Sequence, residues 1–257
     1  MIAALSLSAW IAWFGEPVIA PHAHAELGVL VRDPPLDQPG ITVKVPPAAA
    51  VGVGVGLVMG PRASGPHAWL ALGVLGSLAG RAIESLDDGS VRARPARSQV
   101  LRVDFGVVLA PHERVQIGVG LGYALRAFGS PVDERIAAQS IHAPHVVVPV
   151  VIVFGRASRV ALRLRPTIGP SVAAAALADR SERDLGLGVG AALELDLRLL
   201  GRLALRLALR EDHELFFPLH DGPLHDSPLH DSPLHDAQHA ATLAVVFDAN
   251  PWTRPRP

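Results

Sequence analysis

The sequence predicts an all-β fold, an antiparallel up-and-down transmembrane β-barrel of eight or ten strands. Long runs alternate apolar residues with small or charged ones at a period of two, the repeat of an extended strand with one greasy face. The composition is 49% hydrophobic with a mean hydropathy of +0.32, yet no run reaches the roughly 18 uninterrupted apolar residues of a spanning helix. A barrel reconciles the two, because only alternate residues face lipid. The 257 residues suffice for one sizeable domain, and a net charge of -1 offers no field to attract nucleic acid. Cysteine is absent, which excludes disulfides and thiolate metal sites.

At the start of the chain, residues 2–14 form a short apolar run containing Trp10 and Trp13, and Ala23-His24-Ala25 ahead of Glu26 matches an Ala-x-Ala cleavage pattern. Residues 1–25 are therefore expected to be a signal peptide. No Lys or Arg precedes the apolar run, however, and Glu16 and Pro17 lengthen the stretch before the cut. Residues 26–47 hold Pro34, Pro35, Pro39, Pro46 and Pro47 and read as a proline-rich N-terminal segment, in which 27–31 or 41–45 could form a short or edge strand. The barrel is placed at residues 48–248, with a tail at 249–257.

Within the barrel, Val51, Val53, Val55, Leu57 and Met59 oppose Gly52, Gly54 and Gly56. Residues 67–80 are apolar and glycine-punctuated, which favours strand over helix. Leu101, Val103, Phe105 and Val107 oppose Arg102, Asp104 and Gly106; Ile117, Val119, Leu121, Tyr123 and Leu125 oppose Gly118, Gly120, Gly122 and Arg126. Residues 145–154 are a β-branched run, and Val160, Leu162, Leu164 and Ile168 oppose Arg163, Arg165 and Gly169. The longest pattern covers residues 184–210. There Leu185 to Leu199 on odd positions oppose Gly186, Gly188, Gly190, Glu194, Asp196 and Arg198, and Leu203, Leu205, Leu207 and Leu209 oppose Arg206 and Arg210 beyond a turn at Leu200-Gly201-Arg202. A last strand spans residues 240–248.

The connections alternate in length. Residues 110–113, 155–158 and 200–202 are short, whereas 81–98, 127–142, 173–183 and 211–239 are long and polar, the parity of periplasmic turns and external loops. Residues 67–248 hold eight strands; residues 49–59 and one strand from the proline-rich segment would make ten.

In these patterns residues 48–248 resemble the small outer-membrane β-barrel proteins of Gram-negative bacteria. The resemblance implies apolar residues against lipid and a narrow interior filled by charged side chains. Arg102, Asp104, Arg126, Arg163, Arg165, Glu194, Asp196, Arg198 and Arg206 are then expected to point inward and to pair, because an unpaired buried charge is costly. It further implies location in the bacterial outer membrane, with lipid as the surrounding partner, no nucleic acid, no protein partner that the sequence identifies, and a monomeric state. Trp69, Phe154, Phe247 and Trp252 fall near the expected periplasmic ends, and Phe128, Phe216 and Phe217 near the external ends, where interfacial aromatics belong.

Residues 218–237 repeat Pro-Leu-His-Asp-x four times, placing His220/Asp221, His225/Asp226, His230/Asp231 and His235/Asp236 in the longest loop. Imidazole beside carboxylate suits a divalent metal such as zinc, nickel or copper, bound weakly by the repeat loop; no other cofactor is expected. A proline every five residues keeps the stretch from forming a helix, and the plainest reading is a tandem duplication that lengthens an exposed loop. Asp212, His213, Ser227 and Ser232 share that loop, but no Gly-x-Ser-x-Gly element surrounds the serines. The chain is therefore expected to be non-enzymatic, with a structural, surface-interaction or narrow-transport role. The rival is a soluble periplasmic barrel whose greasy face encloses an apolar ligand. The glycine columns separate the two, since they suit a crowded lumen better than a solvated surface.

Overall fold

The computed structural model describes residues 17–33, 41–61, 66–86, 88–108, 114–129, 138–154, 159–177, 180–217 and 234–248. They form thirteen strands: β1 (Pro17–Asp33), β2 (Ile41–Lys44), β3 (Ala48–Pro61), β4 (His67–Ser77), β5 (Gly80–Leu86), β6 (Val91–Val108), β7 (Val115–Gly129), β8 (Ala138–Val147), β9 (Val150–Phe154), β10 (Val160–Leu177), β11 (Arg180–Leu200), β12 (Leu203–Phe217) and β13 (Leu234–Asp248). β8 and β9 are two halves of one wall strand, interrupted at Val148-Pro149 because Pro149 has no N–H for the ladder. β2 and β5 stand outside the ring. Each remaining strand pairs antiparallel with its neighbours, and β1 joins β13 to close a barrel of ten strands.

Strands of 14 to 21 residues, such as β3 and β11, exceed the roughly 9–11 residues that a tilted strand needs to cross a bilayer. The excess lies at the external end. β10 and β11 continue to a hairpin at Leu177 and Arg180, and β6 rises with β5 to a tip at Gly89, where φ is +77°. β2 adds to β5, giving a small three-stranded sheet above the external mouth. At the opposite end β11 and β12 turn tightly through Gly201, whose φ of +56° suits a residue without a Cβ. Pro17 and Asp248 lie at that same end, which the short turns mark as periplasmic.

The greasy face is the outside. Val53, Leu121, Leu207, Leu243 and Val245 are half or more exposed, whereas their strand neighbours Gly54, Gly120, Ala208, Ala244 and Val246 are buried. This overturns the soluble alternative: an apolar ligand cannot be enclosed by side chains that face away from the interior. Three of the expected interfacial aromatics also point inward, since Trp69, Phe128 and Phe216 fall on the lumen parity of their strands. Phe154, Phe217 and Phe247 face outward, joined by Phe105 and Tyr123. Trp252 lies outside the described residues.

The barrel begins earlier than the sequence suggests. β1 runs through Ala23-His24-Ala25, so the boundary expected after Ala25 falls inside a wall strand that is hydrogen-bonded on both sides. Leu27 to Val31 is not an edge strand but the second half of β1; β2 alone is the short strand of the proline-rich segment. The loop placed at 211–239 is likewise shorter, because β12 continues to Phe217 and β13 starts at Leu234.

Candidate functional site

The interior is built by strand parity. Even-numbered residues of β1, β12 and β13 point inward, which brings His22, His24, Glu26 and Arg32 from the first strand against Arg206, Arg210, Asp212, Glu214 and Asp236 from the last two. Glycines on adjoining strands make the room. Gly52, Gly54 and Gly56 lie directly opposite Glu26, His24 and His22, and Gly188 and Gly190 opposite Glu214 and Asp212. A Cβ at any of these five positions would collide with the facing side chain.

From the external end inward, Arg32 Nη2 donates to Asp236 Oδ2 at 2.8 Å and to Gln139 Oε1 at 3.0 Å, and its guanidinium stacks 5.4 Å from the centre of the Phe128 ring. Below it, Arg126 pairs with Glu214 at 2.8 Å and Arg102 with Asp212 at 2.9 Å. Arg210 grips both oxygens of Glu26, at 2.9 and 3.1 Å, while the Thr242 hydroxyl donates to the same carboxylate at 2.7 Å. Deeper still, Asp104 contacts His145 Nε2 at 2.8 Å and Arg165 at 3.9 Å. Arg165 and Arg206 share Glu194, at 2.9 and 3.2 Å, and Arg206 and Arg163 share Asp196, at 2.6 and 2.9 Å. Arg163 ends the chain of pairs 3.6 Å from Asp248 at the periplasmic mouth.

Each of these arginines therefore meets a carboxylate, and for the fully buried pair of Arg32 and Asp236 losing one partner would strand a charge away from water. Among the described residues, the lumen holds a cavity of about 90 Å³ lined by His24, Glu26, Arg102 and Asp212, and another of about 110 Å³ lined by His22, Trp69, Gln116 and Arg163. Each has room for a few waters.

The residues expected inside are distributed as follows. Arg102, Asp104, Arg126, Arg163, Arg165, Glu194, Asp196 and Arg206 enter the ion-pair chain, whereas Arg198 sits half-buried at the periplasmic rim beside Arg159, Arg202 and Asp248. Of the repeat residues, His220, Asp221, His225, Asp226, His230 and Asp231 lie outside the described residues. His235 and Asp236 occupy adjacent positions of β13, so His235 faces outward while Asp236 is fully buried against Arg32. That pair cannot bind one metal ion. Asp212 and His213 are split in the same way on β12, which removes them as a catalytic dyad.

Sequence reasoning missed Glu26, Arg32, His145, Asp212, Glu214 and Asp236 as lumen residues, assigning the last to the repeat loop, and it placed Arg210 on the inner face without a partner. For Asp212 and Glu214 the signal was present, because they extend the even-numbered parity of Arg206 and Arg210. Glu26 and Arg32 were hidden by the resemblance of β1 to the end of an export signal.

A closed ring of ten antiparallel strands with an apolar exterior and a charged interior defines an integral β-barrel of the bacterial outer-membrane class. The comparisons agree at the level of fold. The chain is similar to the outer-membrane protease OmpT of Escherichia coli, with 9% sequence identity and a TM-score of 0.56 over 91% of this chain and 97% of that one. Weaker likenesses join it to Neisserial surface protein A, at 10% identity, 89% and 97% coverage and a TM-score of 0.32. The translocator domain of the autotransporter NalP from Neisseria meningitidis follows at 12% identity, 96% and 94% coverage and a TM-score of 0.36. No protein-family model matches the chain, and no curated protein matches it by sequence.

Proposed function

We propose that the chain is a non-enzymatic outer-membrane barrel with a charge-sealed lumen, serving as a rigid platform for the structures at its external rim. The observation that carries this reading is the succession of ion pairs from Arg32 and Asp236 at the external end to Arg163 and Asp248 at the periplasmic end. A permeating ion would have to separate those pairs in a low-dielectric interior, where breaking one costs about 3–5 kcal/mol. The same pairing argues against catalysis. Glu26, Glu194, Asp196 and Asp212 are each held by at least one arginine, which keeps these four carboxylates charged and engaged rather than poised to take a proton. The protease activity of OmpT belongs to that protein. The external sheet of β2, β5 and β6 and the repeat loop are then the parts presented at the cell surface.

Single-channel recording of the purified chain in planar bilayers tests the proposal. A sealed platform gives no stepwise conductance, and Arg206→Ala, which takes one of the two arginines from both Glu194 and Asp196, introduces it. Steady ion-selective conductance from the wild-type chain would assign a transport role instead.

A further inference from the structure

High on the outer face of β12 and β13 the apolar rows are interrupted. Glu211 and His213 follow Leu207 and Leu209 on the same face of β12, and His235 and His239 lie beside them on β13. The register explains why they converge. His239 is directly opposite Glu211, and His213 is opposite Ala237, so His235 and His239 flank that alanine by two residues on either side. Both are diagonal neighbours of His213, within reach of side chains of this length, and the small Ala237 between them leaves the rings room to meet.

The side chains do meet. His213 Nδ1 lies 3.2 Å from His235 Nε2, with the two rings stacked at 5.3 Å and 12° apart. His239 stands edge-on to His213 at 5.4 Å, and its Nδ1 is 3.9 Å from a Glu211 oxygen. One ligand atom from each of Glu211, His213 and His239 lies within 4.8 Å of the others. Ligands held tetrahedrally at zinc distances stand about 3.4 Å apart, so small rotations of these side chains suffice to bring the three donors onto one ion, while His235 lies against His213 outside the set.

We propose that Glu211, His213 and His239 form a site for a divalent transition metal of the zinc, nickel or copper class, with His235 beside it. Two imidazole nitrogens and one carboxylate match the borderline softness of these ions and leave a fourth position open. His235 belongs to the fourth Pro-Leu-His-Asp repeat, whose histidine faces this site while Asp236 turns inward to Arg32. The ion would therefore clamp β12 to β13 where residues 218–233 leave and rejoin the wall. This assignment does not depend on a closed lumen.

The full chain, folded in detergent, is titrated with Co²⁺ and then Zn²⁺, with heat-modifiable migration confirming that each variant is folded. About one Co²⁺ per chain is expected, with the visible absorption of a tetrahedral site that Zn²⁺ displaces. The His213→Ala, His239→Ala double variant weakens binding by at least about tenfold, whereas replacing His220, His225 and His230 with Ala leaves it within about twofold. Should the double variant fail to fold, His213→Gln alone carries the same reading. Binding lost with the loop histidines but kept in the strand variant would move the metal to the repeat loop, and no uptake by the wild-type chain would remove the site. Either result overturns the proposal.

Discussion

At the external end of the lumen the side chains of Arg32 and Asp236 are 0% exposed, whereas near the periplasmic mouth those of Arg163 and Asp196 keep 21% and 10% of their surface. The surroundings differ in step. Arg32 lies against Phe128, which packs with Ala82 and Ala96 of the external sheet, and Ile141, Ala173 and Phe216 form a second apolar cluster within the barrel. Arg163 instead borders the cavity of about 110 Å³. The same pair of chemical groups thus plays two parts. Where water is excluded, the partner cannot be replaced and the pair is obligatory. Where water has access, solvent can take over much of what the partner does, and the pair mainly orders the lumen.

The comparison can be broken most severely at β1, which serves both regions, Arg32 at one end and His22, His24 and Glu26 at the other. A chain that starts at Glu26 loses the ladder to β3 from Pro17 to Ala25 and that to β13 from His22 to Ala25, and should not yield a heat-modifiable barrel. Mass spectrometry of the folded protein should find Pro17–Ala25 retained; a folded barrel beginning at Glu26 would show that β1 does not close the wall as described. Next in size, Arg32→Ala strands Asp236 among apolar side chains and should destabilise the barrel by about 3–5 kcal/mol, read as a lowered midpoint of urea unfolding in lipid vesicles. The smallest effect is expected from Arg163→Ala, about 1 kcal/mol, since water can reach Asp196 and Arg206 still holds it. Equal losses for the two arginine variants would erase the distinction between the halves.

Much of this architecture was legible in the chain. The glycine and leucine columns of β3, β7 and β11 announce a wall with two unlike faces, and the unequal connections announce its two ends. The loops were read too long because polar residues in a barrel wall need not mark a strand's end. Asp212, Glu214 and Asp236 look like loop residues, yet each is a lumen residue once the strand parity is extended past the membrane. β1 was lost for a related reason. Its inward face is His22, His24 and Glu26, and its outward face is interrupted by Pro21, so the local pattern resembles a cleavable leader more than a dyad strand.

What the sequence by itself determined is the division of each strand into a lipid face and a lumen face, because the pleat sends successive side chains to opposite sides whatever their neighbours are. What only the tertiary structure decided is which lumen charges meet. Glu26 finds Arg210 and Thr242, and Arg32 finds Asp236, because ring closure sets the first strand against the last and the register sets each residue's height. Pairings between residues some 200 positions apart leave no local trace in a sequence, since nothing in either strand alone specifies the register of the other.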